Sequence, residues 1–220
     1  MVKIASFLTT NHESSKRDYL ERVNHEKPEC MDVASEFEGK YWDGDRKYGY
    51  GGYNYDGRWE SIAKKLIEYY CLDQTSRVLD IGCGMGHLMF EIKRLTNCEV
   101  IGLDISRYAK DKTLDEIKDH IQIYDIRQSL PFDEHYFDLV ISIMTLHNLE
   151  LPELEIAIRE IVRVSKNSYV ATESYRNNTE LFNLQCWALT CQSFFSPRVW
   201  ESILRRNGYL DRELELLYFT

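Results

Sequence analysis

Residues 78–86 read Val78-Leu79-Asp80-Ile81-Gly82-Cys83-Gly84-Met85-Gly86, an apolar run carrying one acid that passes directly into three closely spaced glycines. The apolar run suits a strand buried on both faces. The glycines allow a sharp turn and a close backbone approach to a ligand, and the N–H groups that open the following helix favour a negative group such as a carboxylate. By its mechanics this is a nucleotide-cofactor loop. Roughly twenty residues beyond it, Gly102-Leu103-Asp104 places a second carboxylate at a strand end, where a ribose diol would lie.

Working outward, short β-branched runs at 77–81, 99–103, 121–124, 138–143, 168–172 and near 214–219 alternate with helical stretches. That alternation predicts βαβ units. Leu88, Ile92 and Leu95 share one helical face, as do Leu154, Ile158, Ile161 and Val162, and both faces are expected on the sheet. A last helix is capped by Ser196, opened by Pro197, striped by Val199, Trp200, Ile203 and Leu204, and closed by Arg205, Arg206 and Gly208. The predicted fold is α/β: a Rossmann-like, mostly parallel, doubly wound sheet with helices on both faces.

Residues 1–60 read differently, as an N-terminal helical segment and a Tyr/Gly-rich lid, leaving 61–220 as the cofactor-binding domain. Pro28, Met31, Ala34 and Phe37 suggest a short helix with one apolar face. The stretch from Tyr41 to Trp59 breaks periodicity with its glycines and is expected as an irregular loop.

With 220 residues the chain has room for one α/β core and an appendage. A net charge of −9 disfavours nucleic acid, whose non-specific binding depends on Lys and Arg. Six scattered cysteines without zinc-ligand spacing read as reduced thiols, with no metal expected. No apolar run suits a membrane span, and the start MVKIASFLTTNHESSKRDY lacks a signal-peptide core. A cytoplasmic monomer or homodimer acting on a small-molecule acceptor is expected.

The segments VLDIGCGMG, IGLDIS, YDIRQSLPF and FDLVIS together resemble the class I S-adenosylmethionine-dependent methyltransferases, over residues 60–220. The resemblance implies that Asp80, Gly82, Gly84 and Gly86 border the methionine part of the cofactor, Asp104 its ribose hydroxyls, and Asp125 with Ile126 its adenine. Cys83, Ile105 and Ile143 complete the implied set, and Arg58 is placed at the cofactor carboxylate. After transfer, S-adenosylhomocysteine is the product. One departure is visible: only a dozen residues follow Gly208, where that family usually closes its sheet with a two-strand hairpin. A dinucleotide is the rival cofactor. Its GxGxxG spacing is not met by GCGMGH, and the acid of the preceding strand would repel a pyrophosphate.

Acceptor chemistry is sought at the carboxyl edge of the sheet. His147, in Ser142-Ile143-Met144-Thr145-Leu146-His147-Asn148, is the leading general base, with Glu173 of Ala171-Thr172-Glu173-Ser174-Tyr175-Arg176 the alternative. Tyr175 and Arg176 are candidates for an acceptor pocket, Arg176 gripping a carboxylate or phosphate. Tyr48, Tyr50, Tyr53 and Tyr55 are candidates for a closing lid, Tyr48 and Tyr50 also for binding the acceptor, and Arg46 and Lys47 there meet an anionic acceptor. The insert 177–195, with Trp187, Phe194 and Phe195, is expected to wall the pocket. The Tyr/Gly loop, ESYRN and FFSP are similar to small bacterial methyltransferases of surface-polysaccharide or specialised-metabolite pathways. That likeness implies O-methylation of a sugar-like or phosphate-bearing compound. N-methylation of a small amine or amino sugar, and a non-catalytic cofactor-binding subunit, are the alternatives.

Overall fold

A computed structural model describes residues 1–13, 17–24 and 26–220. In chain order these form β1 (Lys3–Ile4), α1 (Thr9–Glu13), α2 (Tyr19–Asn24), α3 (Lys27–Ser35), α4 (Gly39–Asp43), α5 (Glu60–Tyr70), β2 (Arg77–Ile81), α6 (His87–Thr96), β3 (Glu99–Asp104), α7 (Arg107–Asp111), β4 (Ile121–Ile123), β5 (Phe137–Ile143), α8 (Leu151–Val164), β6 (Ser165–Ser174), α9 (Asn178–Trp187), α10 (Pro197–Arg206) and β7 (Glu213–Tyr218). Every strand read from the sequence is present. The sheet order is β1-β7-β6-β5-β2-β3-β4, and every pairing is parallel.

From β2 the chain winds outward through β3 and β4, then returns to lay β5 on the other side of β2. The order therefore reverses between β2 and β5, where Ile81 registers with Ser142, and the ends of these strands splay to open a crevice. Leu154, Ile158 and Ile161 of α8 and Trp200, Ile203 and Leu204 of α10 bury one face of the sheet. Ile62 and Leu66 of α5 and Leu88 and Ile92 of α6 bury the other. Leu95 and Val199, at the margins of their stripes, stay exposed. Among the described residues no helix is long and apolar enough to cross a membrane.

The sheet edge departs from the hairpin of the resembled family. A single strand β7 runs parallel to β6, and β1 covers its outer side, Lys3 registering with Glu213. Glu215 of β7 fixes this arrangement. Its carboxylate, wholly buried, accepts from the N–H groups of Phe7, Leu8 and Thr9 at 2.6–3.0 Å and from the Tyr169 hydroxyl at 2.6 Å. Removing those donors would strand a buried charge, so the first residues belong to the sheet rather than to a separate appendage.

The rest of the N-terminal segment also differs in detail. In α3 the buried face is Cys30 and Ala34, while Met31 is exposed and Phe37 lies past the helix end at φ 52°. The stretch expected as irregular contains α4 and a 3-10 turn at Arg46–Tyr48. Ser196 opens α10 through its carbonyl, which accepts from Val199 and Trp200 N–H, and its side chain makes no cap.

Candidate active site

The glycine loop takes its shape from β3. Gly82 N and Cys83 N donate to Leu103 O at 2.7 and 3.2 Å, and Gly84 N donates to the Asp104 carboxylate at 2.7 Å. Gly82 sits at φ 71°, and a Cβ there would lie 2.0 Å from Thr145 Oγ1, so only glycine lets the β5 end pass this close. Gly86, at φ 70°, faces inward instead: a Cβ would strike Ile117 and Ile121 at 2.7 and 2.9 Å. Gly86 thus packs the loop on Ile117 and on Ile121 of β4 and does not line the cavity beside it.

Beside the loop lies a cavity of about 490 Å³ whose lining includes Gly82, Asp104, Ile105, Asp125, Ile126 and Ile143. Asp104 is held by Gly84 N and Ser106 N, each oxygen keeping a further lone pair for a diol. Burial raises its pKa while those backbone bonds oppose the rise. Asp80, immediately behind, is pushed up to about 7 by burial and by the Asp104 charge, with no hydrogen bond to offset them. The cavity's one basic lining residue among those described, Arg127, is bound to Asp125. A slot beside the buried acids Asp104 and Asp80, which have no counter-cation among the described residues, fits S-adenosylmethionine, which carries an ammonium and a sulfonium. Cys83, Gly84 and Gly86 shape the loop without lining the cavity, and the Cys83 thiol is driven well up by burial and is inert.

A second cavity, about 460 Å³, shares Tyr41, Tyr50, Met144 and Thr190 with the first. Beyond that shared wall stand His147 and Glu173, both buried, with Nε2 3.9 Å from Oε2. Burial lowers the His147 pKa to about 4 and raises that of Glu173 to about 8, the latter opposed by Arg17. His147 is therefore neutral and Glu173 largely protonated near neutral pH.

Arg17, Arg22, Arg46 and Arg58 also line this cavity. Arg58 is gripped by Asp56, bonded through Nε and Nη2, and it lines this second cavity and not the one beside the glycine loop. The guanidinium carbons of Arg17, Arg22 and Arg46 lie 5.6, 4.6 and 5.1 Å from the centroid of the Trp187 ring. Arg17 and Arg22 escaped the sequence reading because the short helices around them carry no periodic signal; only their chemistry marks them.

Three expected acceptor residues stand elsewhere. Tyr48 packs against Cys30, Ala34 and Leu189, and Tyr175 packs near Leu184 and Phe219. Arg176 is drawn away by the Glu180 carboxylate and lies over Tyr218. Tyr50 does line both cavities.

The N-terminal segment covers the site. The Trp42 and Tyr50 rings stack at 5.2 Å, and Trp42 lies where a Gly84 Cβ would be, 2.9 Å away. Tyr53 stacks on His87 at 4.9 Å, and the Tyr55 hydroxyl donates to Glu91 at 2.5 Å.

Residues 78–168 match a family described as a methyltransferase domain. Over 179 residues the chain is 30% identical to a cycloartenol-C-24-methyltransferase of Arabidopsis thaliana, covering 71% of this chain and 47% of that protein. It is 31% identical over 108 residues to a mitochondrial arginine-hydroxylase of Mus musculus, covering 49% of this chain and 31% of that one. The chain thus spans less than half the length of these relatives. Among solved structures, the [4+2]-cyclase SpnF superposes with a TM-score of 0.56 at 19% identity, covering 94% of this chain and 73% of that one. A Streptomyces coelicolor geranyl diphosphate C-methyltransferase, bound to S-adenosylhomocysteine, superposes with a TM-score of 0.55 at 18% identity, over 66% and 58%. These likenesses carry the fold.

Proposed function

We propose that this chain is a class I S-adenosylmethionine-dependent methyltransferase and that it moves a methyl group to an oxygen of a small acceptor that is sugar-like or phosphate-bearing. The observation that carries the reading is the pair of cavities meeting at Tyr41, Tyr50, Met144 and Thr190, acidic on the cofactor side and rich in arginine on the other. A pathway that decorates sugars suits an acceptor of that size and charge.

When bound, the cofactor supplies a methyl group on a positively charged sulfur. Gly82, Asp104 and Asp125 orient the adenosyl part, and Ile105 and Ile126 cover its base. Trp42 and Tyr50 exclude water from the shared wall. Much of the rate then comes from holding the acceptor oxygen in line with the methyl group. Glu173, protonated in most molecules near neutral pH, would in its ionised form take the hydroxyl proton as the cofactor's methyl group is transferred, being the stronger base of the pair. Neutral His147 orients the hydroxyl.

The test is calorimetric titration with S-adenosylmethionine, S-adenosylhomocysteine and NAD, with Asp104→Ala as control, followed by screening of nucleotide sugars for labelled methyl uptake. Binding of both adenosyl ligands, weakened by the substitution, supports the cofactor site. Preference for NAD overturns it. Product methylated on nitrogen corrects the atom assigned, and tight binding without any product points to a non-catalytic subunit.

A further inference from the structure

Arg22 is buried, 8% exposed, yet the groups that act on its charge are Arg46, Cys30 and Tyr41. Burial raises the Cys30 and Tyr41 pKa values, so neither supplies an anion. Among the described residues Arg22 and Arg46 make no ion pair with a carboxylate. Each spends one nitrogen on main-chain carbonyls: Arg22 Nη1 donates to Arg46 O at 2.7 Å and Lys47 O at 3.2 Å, and Arg46 Nη1 donates to Gly49 O. The rest of each planar fork has no acceptor among the described residues, although both side chains line the cavity. For the buried Arg22 this is unusual, since a buried guanidinium is ordinarily paired and stacking on an indole compensates only part of its desolvation; Arg46 is exposed and brings a second charge to the same ring. Crowding a second cation against the same ring adds repulsion.

We propose that Arg22 and Arg46, held against Trp187, clamp a multiply charged phosphoryl group of the acceptor. This rests on reading the second cavity as the acceptor site, and it deepens that reading by orienting the ligand: phosphoryl end at the arginines, reacting hydroxyl at His147 and Glu173. Two forks left with several N–H donors suit an anion with many acceptor oxygens and at least two charges, whereas a single carboxylate leaves one guanidinium uncompensated. Glu173, the one acid among the described residues that line the cavity, is pushed up by burial and is largely protonated near neutral pH, so it leaves most of the clamp's charge unneutralised. Trp187, the last residue of α9, forms the floor of the clamp.

The experiment is calorimetry of the intact protein with pyrophosphate, inorganic phosphate and malonate at low ionic strength, with and without S-adenosylhomocysteine, repeated for Arg22→Gln and Arg46→Gln. Arg46 is exposed enough for its variant to fold, and circular dichroism checks both. Pyrophosphate or phosphate binding, weakened at least about tenfold by either substitution while S-adenosylhomocysteine affinity holds, is expected. A preference for pyrophosphate indicates a nucleotide-sugar type of acceptor, and equal affinity indicates a phosphate monoester. Malonate binding as tightly as either, or phosphoryl binding indifferent to both substitutions or absent at millimolar concentration, overturns the clamp. Failure of S-adenosylhomocysteine to bind beside arginine-dependent pyrophosphate binding removes the methyltransferase reading and leaves the clamp standing.

Discussion

His147 Nε2 stands 3.9 Å from Glu173 Oε2, too far for a hydrogen bond, while His147 Nδ1 and Glu173 Oε2 are buried without a hydrogen-bond partner. Glu173 Oε2, the unpaired atom that faces this gap, costs free energy there unless a ligand atom satisfies it. The gap lies in the wall of the arginine-lined cavity, one side chain carried past the end of β5 and the other on the end of β6. An acceptor hydroxyl placed there would bond Glu173 Oε2 and meet the Nε2 side of the His147 ring.

Glu173→Gln should lower kcat by about 100-fold or more, the scale of general-base catalysis, while leaving S-adenosylhomocysteine affinity unchanged. Because burial pushes the Glu173 carboxyl up to about 8, it is protonated below that pH and gains its base form above it. The wild-type rate should therefore rise with pH through about 8. His147, at about 4, contributes no step in that range. A rate that is flat across this window would transfer the base role to His147.

Cofactor binding should release a proton. Asp80 has a pKa raised to about 7 in the free protein, and a nearby ammonium favours its charged form. Affinity for S-adenosylmethionine should thus increase as pH rises through about 7 and level off above it. Calorimetry in buffers of different ionisation enthalpy reads the proton directly. Asp80→Asn should abolish the release and reduce affinity by about tenfold; unchanged release in that variant would move the titration to another group.

The same groups set the stability of the ligand-free protein. Glu173 and Asp80 have folded pKa values raised above their unfolded ones, so their contribution is complete below about 4 and is lost as pH climbs through about 7 to 8. His147 and His12 are lowered to about 4, so their contribution is present above about 6.5 and lost as pH falls toward 4. Between about pH 6.5 and 8 the histidine contribution is already nearly complete and changes little, so the acids set the trend. Thermal melts should show the midpoint falling over that window, and Glu173→Gln should flatten the decline.

How much of this was legible in the sequence follows the physics of each part. Val78 to Gly86 and Gly102 to Asp104 announce themselves because a parallel strand buried on both faces and a loop at positive φ restrict residue type strongly. Glu215 tying Phe7, Leu8 and Thr9 to the sheet is a contact across more than two hundred residues, and no local pattern encodes it. Arg22 beside Trp187 is of the same kind, whereas Arg176, read as an acceptor group, was captured by Glu180 one helical turn on.

Two glycines of one loop should respond differently to the same change. At Gly82 an added methyl meets Thr145, which lines the cofactor cavity, while at Gly86 it meets Ile117 and Ile121 in the core. Both positions have φ near 70°, so alanine is strained at either, by roughly 1–2 kcal/mol from backbone conformation alone. The extra cost then separates. Gly86→Ala overpacks a closed core, adding about 1–3 kcal/mol of destabilisation, and whatever protein remains folded should bind S-adenosylhomocysteine nearly normally. Gly82→Ala displaces the Thr145 side chain into the cavity and should cost affinity beyond any loss of stability. Chemical denaturation beside calorimetry distinguishes the two; equal loss of affinity in both variants would return Gly86 to the cofactor's immediate surroundings.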